Sequence, residues 1–113
     1  MAKGSVILVP FPFDDLYATK VRPAVCLSDA VGPHRHVILA FISSRVPTQL
    51  IESDFVLDQA DPQAVGTGLK VRSVLRLHRL MTVSESLIRR ELGRLPASLQ
   101  QEVDDRLRRL FGL

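Results

Sequence analysis

The nine residues Leu69–Leu77, LKVRSVLRL, decide how the rest of the chain is read. Leu69, Val71, Ser73, Leu75 and Leu77 occupy the odd positions, and Lys70, Arg72, Val74 and Arg76 the even ones. A period of two puts the mostly apolar set on one face of a β-strand and three cations on the other. No acid interrupts the chain from Lys70 to Arg79. The expectation is a half-buried strand whose outer face is basic.

Upstream, short apolar runs alternate with turn-rich segments. Ser5–Val9 (SVILV) is β-branched and bounded by Gly4 and Pro10, which predicts a first strand. Ala24–Leu27 and Val37–Ile42 predict the second and third, and Ser53–Leu57 a fourth. Pro10–Lys20 (PFPFDDLYATK) reads as a long loop. Downstream the pattern turns helical. Thr82-Val-Ser-Glu85 has capping-box spacing, with Leu87, Ile88 and Leu92 behind it and Gly93 as a stop. Ser98-Leu-Gln-Gln101 repeats that signal. Leu99, Val103, Leu107, Leu110 and Phe111 then form one helical stripe closed by Gly112. Five or so strands followed by two helices predict an α+β, mainly β fold with a strongly curled antiparallel sheet. One domain over residues 1–113 is expected.

An apolar fraction of 46% and a charged fraction of 24% are ordinary for a globular chain. No apolar run approaches the ~20 residues of a membrane span, so no membrane partner is expected. MAKGSVILVPFPF, broken by Pro10 and Pro12, reads as a first strand and not as a secretory signal. The lone Cys26 excludes an internal disulfide and fits a reducing cytosol. The net charge of +3 hides an asymmetry: Met1–Leu69 holds 5 basic and 7 acidic residues, Lys70–Leu113 10 and 5. Twelve of the fifteen basic residues are arginine, the cation suited to bidentate phosphate contact. Charge alone fits either an anionic partner or a solvated basic face.

Most catalytic chemistries find no residues here. His34 and His36 lie two apart, His78 is distant and Cys26 stands alone, so neither a metal nor another cofactor is expected. Cys26, between Val25 and Leu27, reads as a small packed hydrophobe. Ser43 and Ser44 lack the glycine-flanked elbow of a hydrolase. Adjacent Asp14 and Asp15 read as turn residues. What remains is Arg22, held extended by Pro23, then Ser43-Ser44-Arg45 after the third strand, and the basic strand face. Such a set suits phosphodiester cleavage in RNA, where the substrate supplies its own 2′-hydroxyl nucleophile. The protein then has only to position the strand, stabilise the transition state and manage two protons. Taken singly, Arg22 also reads as a solvated strand-end charge, and the serines as loop hydroxyls.

GSVILVPFPFDD, KVRPAVCLS, AFISSR, GLKVRSVLRLHRL and IRRELGRL, in that order, resemble the PemK/MazF family of toxins from toxin–antitoxin pairs. The resemblance implies a small SH3-like antiparallel barrel of the CcdB/PemK type with a C-terminal helix. It implies a homodimeric, metal-independent ribonuclease acting on single-stranded RNA, often messenger. The products would be a cyclic phosphate and a 5′-hydroxyl, and an antitoxin tail would fill the RNA groove. The family's catalytic arginine falls on Arg22 and its threonine–serine pair on Ser43 and Ser44. Gly4-Ser5 stands where the family opens with Gly-Asp or Gly-Glu, and Ser73-Val74 where several members carry an acid.

On that reading Arg22 clamps the transition state and Ser43 hydrogen-bonds the scissile phosphate. Lys20, Ser44, Arg45, Arg72 and Arg76 contact the RNA, and Phe13 and Tyr17 offer stacking platforms. His34 and His36 are the candidate general bases. Two other readings share the fold: a gyrase-poisoning toxin of the CcdB kind, and a family member that binds RNA without cutting it.

Overall fold

The computed structural model describes residues 1–11 and 20–113; Phe13, Tyr17, Asp14 and Asp15 lie outside them. Among the described residues, six strands and one α-helix follow in order: β1 Ser5–Phe11, β2 Lys20–Cys26, β3 His36–Ser43, β4 Asp54–Leu57, β5 Ser73–Ser84, β6 Arg90–Arg94 and α1 Ala97–Phe111. The strands form one curled half-barrel sheet, ordered β4-β5-β3-β2-β1-β6, with every neighbouring pair antiparallel. The mainly β expectation holds, and no helix among the described residues is long and apolar enough to cross a membrane.

The central strands bury both faces, so each carries two cores. Val6, Val25, Ala40, Ile42, Leu75 and Leu77 pack with Leu99 and Val103 of α1. On the opposite face Ile7, Val9, Ala24, Cys26, Leu39 and Phe41 pack with Met1, Met81 and Ile88. Double burial explains why the alternation in LKVRSVLRL misled. Val74, predicted to face outward, is fully buried, whereas Val71, predicted for the core, is 57% exposed. The strand begins only at Ser73, which leaves Lys70 and Arg72 in the connection before it.

The helix predicted from Thr82 to Gly93 does not form. Thr82–Ser84 end β5, a single 3-10 turn covers Glu85–Leu87, and Arg90–Arg94 make β6 against β1. Distant partners take the capping-box glutamate. Its carboxylate meets the Met1 amine at 2.7 Å and Arg35 at 3.2 Å, and its N–H donates to the Arg35 carbonyl. Ile88 and Leu92 then pack into different cores, which one helix face could not arrange. The final helix forms where predicted, with Gly112 left-handed at its C-cap. Ser98 is not its cap: Pro96 holds that place, and the Ser98 hydroxyl binds the Gln63 side chain.

Between the edge strand β4 and its neighbour β5, the 3-10 segment Pro62–Thr67 crosses to the other edge and docks on β6. Glycine makes this approach possible. A Cβ on the left-handed Gly68 would strike the Leu92 carbonyl, and one on Gly93 the Gly66 carbonyl.

Candidate nucleic-acid interface

The interface begins with a missing donor. Leu27 N–H donates to the Ile38 carbonyl, and β2 pairs with β3 as Ala24↔Phe41, Val25↔Ala40 and Cys26↔Leu39. Antiparallel alternation makes Val25/Ala40 a hydrogen-bonded pair and would make Pro23/Ile42 the next. Pro23 has no N–H to give. The ladder stops there, although β2 runs back to Lys20 and β3 on to Ser43. β2 stays attached to β1, with Arg22 opposite Val9 and Lys20 opposite Phe11.

Where the ladder stops, a cavity of about 630 Å³ opens, lined by Lys20, Arg22, Phe41, Ile42, Ser43, Ser44, Arg45, Arg76 and Arg79. Five of these residues are cations, and no described lining residue is a carboxylate. Like charges around one concavity focus an attractive potential on an anion. The Ser43 hydroxyl accepts the Arg45 N–H at 3.1 Å, closing a tight turn that holds Ser44 and Arg45 at the mouth. The same hydroxyl donates to the Arg45 carbonyl at 3.4 Å, a long bond that a ligand oxygen at the mouth can replace by rotation of the hydroxyl.

Arg76 is held from behind. Asp54, directly opposite it across β4–β5, has a fully buried side chain. The carboxylate accepts Arg76 Nε at 3.0 Å, Arg76 Nη2 at 3.4 Å and the Ile51 N–H at 3.1 Å. The helix fastens the same corner, with Arg106 Nη1 donating to the Glu52 and Asp54 carbonyls at 2.7 and 2.8 Å. Arg79 arrives by an irregularity. Phe41 pairs with Arg76 and Ala40 with Leu80, so Leu77, His78 and Arg79 are extra on β5. A bulge re-aims side chains out of strict alternation, and this one delivers Arg79 to the cavity.

Of the residues singled out by sequence, Lys20, Arg22, Ser43, Ser44, Arg45 and Arg76 therefore share one cavity. Arg72 does not line it, and pairs with Asp58 at 3.6 Å. His34 and His36 lie elsewhere: His36 opens the strand that Ser43 closes, seven residues away. At ~3.3 Å per residue that is roughly 23 Å, beyond proton-transfer reach within the chain. Arg79 and Asp54 were missed. The acid-free run to Arg79 was a usable signal for the first; no local signal marked the second, because its partner lies 22 residues away. Among the described residues, no group of three His, Cys, Asp or Glu could hold a metal ion.

The sequence matches the model of a family described as PemK-like, MazF-like toxin of type II toxin–antitoxin system over residues 2–111. No curated protein matches it. Among solved structures the fold is shared with toxin MazF-mt6 of Mycobacterium tuberculosis: 22% identity, 96% of this chain and 97% of that one covered, TM-score 0.73. MazE–MazF from Deinococcus radiodurans gives 20% identity, 100% and 97% coverage, and TM-score 0.75. An endoribonuclease in complex with its cognate antitoxin, from a mycobacterial species, gives 13% identity, 100% and 96% coverage, and TM-score 0.70.

Proposed function

The chain belongs to the PemK-like, MazF-like toxin family of type II toxin–antitoxin systems, an endoribonuclease family, and from that premise we propose that it cleaves single-stranded RNA without a metal. The observation that carries the reading is the cavity at Pro23, where cations surround Ser43 with no carboxylate among the described lining residues. A phosphodiester is the anion such a wall suits, and messenger RNA is the expected source.

In the reaction, the ribose 2′-oxygen bonds to the adjacent phosphorus while the bond from phosphorus to the 5′-oxygen breaks. The products are a 2′,3′-cyclic phosphate and a 5′-hydroxyl. Guanidinium groups stay charged at neutral pH, so Arg22 serves as an electrostatic clamp on the crowded phosphorane and not as a proton carrier. The Ser43 hydroxyl donates to a non-bridging oxygen. Lys20, Arg45, Arg76 and Arg79 hold the flanking backbone, which positions the strand without reading its sequence. No described lining residue is a carboxylate or an imidazole, so the acceptor of the 2′-hydroxyl proton is assigned to none of them. With this reading go a cytosolic homodimer and an antitoxin segment that competes with RNA for the cavity.

The test is cleavage of mixed-sequence single-stranded RNA in EDTA by wild type and by Arg22→Ala, with mapping of the ends. Cuts leaving 5′-hydroxyls, lost in the variant, support the reading. Salt-sensitive RNA binding without cuts by the folded protein overturns it in favour of a non-catalytic role.

A further inference from the structure

A second cavity, of about 440 Å³, adjoins the first across a shared wall of Arg22, Ile42 and Ser44. Its character differs. Leu8, Val21, Pro23, Leu69, Val71 and Leu92 supply a largely apolar surface, and Lys70 and Arg90 supply cations beside Arg22. Val21 and Val71 are left 45% and 57% exposed, an apolar lip on the described surface. The floor is firm, because Gly68 lies against the Leu92 carbonyl and Arg90 is in register with Leu8.

We propose that this cavity receives the base of a nucleotide adjoining the scissile phosphate, and that it prefers keto bases, guanine or uracil. The inference rests on the ribonuclease reading for the phosphate next door. The occupant is argued from continuity and chemistry. A strand whose phosphate sits against Arg22 has its neighbouring base one step away, and the shared wall is the side on which an apolar slot opens. A flat base face covers the aliphatic lip. Its edge then meets Arg22, Lys70 and Arg90, whose nitrogens only donate hydrogen bonds. Guanine offers O6 and N7 and uracil offers its carbonyl oxygens, both suited to such donors. At the position where guanine presents O6 and uracil O4, adenine presents N6 and cytosine N4, amino donors that would face these cations.

The test is cleavage of a randomised single-stranded RNA pool, with both ends of every cut sequenced. One position adjoining the cut should favour guanine or uracil over adenine or cytosine by roughly tenfold or more. Arg90→Gln presents an amide suited to adenine N6 and N7, and should move that one position toward adenine while the others keep their preferences. Equal use of all four bases on both sides of the cut overturns the proposal. So does a preference untouched by both Arg90→Gln and Lys70→Gln in variants with wild-type melting curves. If no cuts appear, fluorescence anisotropy with short oligouridylate, oligoadenylate and oligocytidylate at one salt concentration decides. Roughly tenfold tighter binding of oligouridylate, lost in Arg90→Gln, supports the base pocket even as the cleavage reading fails. Equal affinities, or no binding, remove it.

Discussion

Replacing Asp54 by asparagine should cost far more stability than a surface charge change, because of where its carboxylate lies. The side chain is fully buried and Arg76 is 24% exposed, so the pair is open to water on one side only. Asparagine keeps one oxygen for Arg76 Nε but turns an amide N–H₂ toward Arg76 Nη2 and the Ile51 N–H, both donors to Asp54 Oδ2. Removing one partner of a fully buried pair costs ~3–5 kcal/mol, and the solvent access of Arg76 lowers that to about 2–3 kcal/mol. At ~4–5 °C per kcal/mol for a chain of this size, the thermal midpoint should fall by about 10 °C. Calorimetry of Asp54→Asn, Arg76→Gln and the double variant measures this, and the two changes should be non-additive by about 1–2 kcal/mol. Kinetics separate aim from charge. On the proposed ribonuclease reading, losing a negative charge behind the cavity should strengthen nonspecific RNA attraction, so a lower kcat with no rise in KM would mark lost positioning of Arg76. A midpoint shift under about 2 °C, or additivity within ~0.5 kcal/mol, would refute the buried-clamp account.

Glycine substitutions should separate close approach from backbone strain. Gly68→Ala meets a backbone carbonyl and an unfavourable φ of +73°, and should cost more than about 3 kcal/mol in urea unfolding. Gly32→Ala, at φ +74° with open space around it, should cost only ~1–2 kcal/mol. Burial pushes the Cys26 thiol up from 9.0 to about 11. The stability tied to its protonated form is therefore complete below pH 9 and is lost as pH rises toward 11. Cys26→Ala should flatten that alkaline limb, and in the native wild type a thiol reagent at pH 8 should react only at the unfolding rate. The hydrogen bond from the Met1 amine, aided by Arg35, holds the Glu85 carboxyl below its usual range. Its contribution is present above pH ~4.5 and lost as pH falls through the lowered value. An N-terminal extension that displaces the amine should lower the midpoint at pH 7, with the gap closing in acid; a C-terminal extension should not.

What the sequence determined by itself was local. The β-branched runs at Ser5–Val9 and Val37–Ile42, and the helical stripe from Leu99, carry their periodicity in neighbouring residues. So does the Arg22-Pro23 dipeptide, whose missing N–H acts wherever the chain puts it. The family pattern was legible because those elements keep their order. Tertiary structure decided whatever depends on register between distant strands. It turned the Thr82–Gly93 segment from a predicted helix into strand, because Glu85 has stronger partners 50 and 84 residues away than its own helix could supply. It buried Val74 as fully as its neighbour Leu75, set Arg79 in the cavity by a three-residue bulge opposite Ala40 and Phe41, and backed Arg76 with Asp54. Spacing along a chain reports which side chains share a face of one element. Only the pairing of elements, driven by burying two apolar faces of one curled sheet, determines which of those faces meet.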